Sequence, residues 1–185
     1  MHRIFPVLAC FALVSMVGVL LLGLTLGELG PQSPREVLNR ATVHRLSGVA
    51  AALVVVLVHS IIVTYFIGTG RWCKEVVEAY SLDRQLVERS TTLKRRTFPH
   101  ALLGMLAVVG IVALGGAADP AAALHLQPVA GITWSQMHLL GSVLGIAYIA
   151  YTFIIEWTNV FANRDVIEEI LAEVRRIRMG KGLEV

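Results

Sequence analysis

His44, His59, His100 and His138 are the residues of this chain best suited to chemistry. All four lie inside or at the edge of long apolar runs, where an imidazole is costly and marks a functional site by default. Neutral imidazole is a common axial ligand of haem iron, and depth decides which histidines could share one. His59 follows His44 at a distance of about 22 Å along a helix axis, and the intervening steps of about 100° return the side chain to within roughly 60° of its starting direction. His138 sits about one turn inside the fourth apolar run, at a depth matching His44. His100, just after Pro99, opens the third run and approaches the level of His59. Two levels of paired imidazoles follow, His44 with His138 and His59 with His100. They are the expected ligands of two stacked b-type haems, one near each membrane face.

A flat macrocycle between helices needs small neighbours. Ser47, Gly48 and Ala51 follow His44, Gly141, Ser142 and Gly145 follow His138, and Gly104 follows His100. Small residues in membrane helices also serve close helix packing, which is the competing use of the same positions. Arg45, beside His44, is expected to meet a haem propionate bidentately or to reach a lipid phosphate. Glu156 reads as a plain inter-helix or interfacial charge, the other options being a proton relay or a meeting with Arg71. His2 and His125 read as ordinary surface residues.

The elements that must position these groups are plain. Apolar runs at about Pro6–Gly27, Val43–Ile67, Phe98–Ala117 and Trp134–Trp157 each reach or approach the roughly 20 residues needed to cross a hydrocarbon core about 30 Å thick. With 185 residues, 56% of them hydrophobic, and a mean hydropathy of +0.70, the expectation is one all-α domain over 1–185. Its architecture is an integral membrane four-helix bundle with a helical arm and a C-terminal amphipathic helix. The run to Gly27 is too long for a signal-peptide core and reads as a retained first span. Cys10 and Cys73 have no metal-ligand spacing.

Lys and Arg set the orientation. The segment between the second and third runs carries seven of them, from Arg71 to Arg96, and the tail carries Arg164, Arg175, Arg176, Arg178 and Lys181. None falls between the third and fourth runs. Both termini and the middle segment are therefore expected in the cytoplasm, with the protein in the inner (cytoplasmic) membrane. The net charge of +3 needs no acidic partner on this reading. Trp72, Val76, Tyr80 and Val87 recur at helical spacing, so the middle segment continues the second span or forms a helical hairpin arm. Pro99 is expected in the first turn of the third helix. In the tail, 158–185, Val166, Ile167, Ile170, Leu171, Val174 and Ile177 form an apolar stripe for a membrane surface or a partner subunit. Trp72, Trp134 and Trp157 fall at proposed interfaces, as an aromatic belt requires.

The run His44-Arg45-Leu46-Ser47-Gly48 resembles the His-Arg-x-Ser/Thr-Gly opening of the cytochrome b subunit of succinate dehydrogenase. It is also similar to the His-Arg-x-x-Gly of haem A synthase, whose halves are four-helix bundles with histidines on paired helices. The resemblance spans about a dozen residues around the second run and a looser His138-Leu139-Leu140-Gly141. It implies haem b binding, with His44 as a ligand, next to a quinone or redox partner. Arg40 stands where the synthase has an acidic residue, which points away from synthase chemistry.

The expected function is that of a di-haem b-type cytochrome that passes electrons as a subunit of a respiratory or other redox complex. The alternative is a cofactor-free anchor or accessory subunit, and a small proton carrier using His59 and Glu156 is a third reading. No phosphate-binding loop, zinc spacing, activated nucleophile or nucleic-acid patch is present. The expected partners are the lipid bilayer, a redox subunit or quinone, and further subunits of a larger complex.

Overall fold

A computed structural model describes residues 1, 3–27, 33–122 and 126–182. His2 and His125 lie outside the described residues. Four helices account for nearly all of the rest: α1 (Ile4–Leu24), α2 (Arg35–Tyr80), α3 (Gln85–Ala118) and α4 (Trp134–Gly180). All four are long and apolar enough to cross a membrane, which supports a multi-pass membrane protein and a bilayer environment. The lateral surface agrees. Phe11 and Val14 on α1, Leu53 on α2, Leu106 on α3 and Leu144 on α4 are all exposed, an apolar exterior that fits lipid and not water.

Length explains the second part of the molecule. At 21 residues α1 is about one membrane thickness, whereas the 46 residues of α2 and 47 of α4 extend to about 70 Å. The excess builds an arm. α2 runs without a break from its span to Tyr80, turns through Ser81 in the left-handed region (φ 53°) and returns as α3. The continuation of α2 and the helical hairpin expected as alternatives are thus one structure. Pro99 is correspondingly not in a first turn, because α3 begins well before it and Pro99 lies inside the helix. α4 has the clearest start: Thr133 accepts from the Gln136 N–H while the Gln136 side chain accepts from the Thr133 N–H, a reciprocal cap.

The tail is part of α4, and most of its apolar stripe is satisfied within the chain, with Leu171 left exposed. Val166 and Ile170 are buried against Cys73, Val77 and Leu86 of the arm, with Ile167, Val174 and Trp72 packed around them. Arg89 and Glu169 tie α3 to α4 at the edge of this cluster, 2.6 Å apart. The stripe expected to face a membrane surface or partner therefore closes on α2 and α3, because the long antiparallel hairpin offers it a ready apolar groove. Ile170→Ala should cost about 2–4 kcal/mol at this fully buried site. Native-state hydrogen exchange should show the loss in the arm while the spans stay protected.

In the spans, consecutive helices are neighbours and α1 also packs on α4. α2 and α4 meet across the diagonal, while α1 and α3 do not touch among the described residues. The core between them is apolar, built on Phe5, Ala12, Val55, Ile62, Val108 and Ile149. The buried polar side chains are His59, Ser90, Thr97, Ser142, Thr152, Glu156 and Asn163.

Candidate functional site

His44 of α2 and His138 of α4 meet at the end of the bundle away from the arm. Their ring centroids are 6.4 Å apart and their planes cross at 76°. Each ring lies over a glycine of the preceding helix. A Cβ on Gly23 would stand 2.8 Å from His44 Cε1, and one on Gly115 would stand 3.0 Å from His138 Cε1. His44 Nδ1–H donates to the Val19 carbonyl at 3.1 Å. A carbonyl can only accept, so the proton sits on Nδ1 and the Nε2 lone pair is left for a ligand role. His138 Nδ1, by contrast, is buried without a hydrogen-bond partner. What α1–α2 and α3–α4 share is the glycine beneath the ring. Two imidazoles that grip a metal from opposite sides at roughly 2 Å per bond would have centroids roughly 6 Å apart. The observed separation fits that spacing.

The small residues expected to clear space for a macrocycle are used otherwise. Gly48 faces Val19 of α1, while Gly141 and Gly145 face the Leu114 and Ile111 side chains of α3. They serve helix packing.

Arg45 also has a protein partner. Its Nη1 donates to both Asp119 oxygens, at 2.8 and 3.1 Å, and its Nη2 donates to Thr42 Oγ1 at 3.1 Å. This pair staples the start of α2's span to the end of α3. Burial alone would raise the Asp119 carboxyl, but hydrogen bonds from Arg45 and the Ala121 N–H, together with the Arg45 charge, hold it below the usual range. A depressed folded value contributes stability above the unfolded pKa, and that contribution is lost as pH falls through the folded one. Arg45→Met should therefore cost no more than about 1 kcal/mol at pH 7, since the guanidinium is partly exposed. Thermal melts should show the difference from wild type closing as the buffer is taken below about pH 4.

The inner level differs from expectation. His59 and His100 do not face each other as a pair. His59 Nδ1 lies 2.7 Å from Glu156 Oε1, and both side chains are fully buried. The ring packs on Phe153, centroids 4.8 Å apart, and its Nε2 abuts Gly104 so closely that a Cβ there would collide with it. Both ring nitrogens are thus closed off by protein. His100 stands one turn from Gly104, beside Tyr151 at 6.0 Å between ring centroids. The register of α3 brings Gly104, not His100, opposite His59.

Of the readings given for Glu156 the inter-helix one holds: it pairs with His59 of α2 in the core, not at an interface, and does not meet Arg71, which pairs with Glu75 in the arm. The sequence held a signal for it. Asn159 and Asn163 follow Glu156 at helical spacing, and both hydrogen-bond inside the protein. Among the described residues no group of three or more His, Cys, Asp or Glu is placed to hold a metal ion, so a metal here would rest on a two-histidine set. No family model, no characterised protein and no solved structure matches this chain.

Proposed function

We propose that this protein is a membrane-embedded b-type cytochrome that transfers electrons, with His44 and His138 as the axial ligands of its haem. The observation that carries the reading is the spacing of the two rings, 6.4 Å between centroids, with one Nδ1 tethered to a carbonyl and a glycine beneath each ring. The bound group would supply one-electron redox chemistry. The protein's part is to fix the ring orientations and exclude water from them. Of the two haems expected from four histidines, this reading keeps one, because His59 is committed to Glu156 and Gly104.

The Lys and Arg of the arm and tail support a cytoplasmic position for both termini in the inner membrane, and the haem would then lie toward the outer face. A quinone or a redox subunit is the partner class that such a carrier serves. A reduced-minus-oxidised spectrum of freshly solubilised protein should show a b-type band, and a pyridine haemochrome assay should find about one haem per chain. Colourless protein would end this reading. The cofactor-free anchor subunit is then the reading that stands, favoured by the Leu114 and Ile111 side chains that fill the spaces over Gly141 and Gly145.

A further inference from the structure

We propose that His59 and Glu156 form a proton-binding site inside the bundle, reached from the arm end along a buried polar stripe on α4. This goes beyond electron transfer and does not depend on the haem.

The pair is the most isolated set of ionisable groups in the molecule. Both side chains are fully buried, and Glu156 Oε2, His59 Nε2 and His100 Nδ1 are all buried without a hydrogen-bond partner. The groups that face Glu156 are His59 from α2 and His100 from α3, and both act on it electrostatically. From α1 comes no titratable group except Cys10, which is exposed. Phe5 of α1 instead closes that side by packing edge-on to Phe153.

No Lys or Arg forms an ion pair with Glu156, so a carboxylate there has only an imidazole to balance it. With a neutral imidazole, the deprotonated pair carries one negative charge into a hydrocarbon environment. One added proton neutralises it. Uptake places that proton on the Glu156 carboxylate, giving a carboxylic acid hydrogen-bonded to a neutral imidazole. Release returns it, and no other bond changes.

Access is one-sided. Toward the arm, Asn159 and Asn163 lie three and seven residues beyond Glu156, on the same face of α4. The Asn159 amide donates to Thr97 Oγ1 at 3.0 Å. Asn163 accepts from Ser90 Oγ at 2.9 Å, and its amide lies 3.2 Å from both Tyr65 Oη and Thr69 Oγ1. Thr97, Ser90 and Asn163 are buried, where apolar residues would pack at lower cost. A ladder of amides and hydroxyls spaced in this way passes a proton with bridging water between its rungs. Toward the other end, Thr152 turns its hydroxyl back onto the Ile149 carbonyl, and Val55, Val108 and Ile149 close the core.

The test is infrared spectroscopy of the full chain in phosphatidylcholine nanodiscs at pH 7, followed through a switch from H₂O to D₂O. A carboxylic-acid C=O band should be present, and Glu156→Gln should remove it. Asn163→Leu should keep the band but slow its deuterium shift at least tenfold, and Thr97→Val should slow it in the same direction. Absence of any band that Glu156→Gln removes overturns the site. An unchanged deuteration rate in both Asn163→Leu and Thr97→Val overturns the route. Haem content, read separately by absorbance, tests the cytochrome reading: colourless protein that keeps the Glu156 band leaves the proton site standing.

Discussion

His138→Ala is expected to leave a folded, membrane-inserted protein that has lost its b-type band. Haem per chain in the haemochrome assay should fall from about one to near zero. The size of the effect follows from the geometry. The two rings sit across the diagonal of the bundle, and among the described residues no other histidine lies at that level to substitute for a lost imidazole. Removing a group that only orients a metal ligand costs roughly 10–100-fold in affinity, and removing the ligand itself should exceed that. His100→Ala should retain haem, since His100 lies at the other level beside Tyr151. Equal loss in His138→Ala and His100→Ala would show that the ligand set is wrong.

His59→Leu carries the second large effect, this time on stability. It leaves Glu156 buried with no partner for either oxygen, at a cost of about 3 kcal/mol. The double variant His59→Leu/Glu156→Leu removes the polar demand with its supply and should recover most of that loss, since apolar replacement of a buried pair is often neutral or stabilising. Denaturation in mixed micelles would give both values. A double variant as damaged as the single one would mean that the pair's shape matters and its chemistry does not. The comparison also bears on why such a pair is retained: one that costs stability is kept for what it does.

Some of this architecture was legible in the residues. Four runs of about membrane length must be helices, because backbone groups in hydrocarbon can be satisfied only within the segment. The all-α bundle and its arm follow from that and from the helical spacing of Trp72, Val76, Tyr80 and Val87. The matched depth of His44 and His138 was legible too, since both open spans that run in the same direction. What the spacing could not supply was registry between one helix and another. A shift of one turn in α3 decides whether His59 meets His100 or Gly104, and periodicity within one helix is blind to it. Arg45 shows the same limit. Its charge and place beside His44 were plain, but its partner Asp119 sits just past the end of α3, and only the packing of α2 on α3 brings the two together.

Residue type and order thus determined that the chain spans a membrane, how many times it does so, and which side chains are too polar for their surroundings. Packing between helices decided what each of those side chains meets: His44 over Gly23, His138 over Gly115, His59 on Glu156, and the tail's apolar stripe on the arm instead of an outside surface. The reason is physical. Helix formation and insertion are governed by local hydrogen bonding and hydrophobicity, which each segment carries by itself. The meeting of two side chains depends on the relative height and rotation of two helices, and these are set by the sum of many small contacts along their whole length.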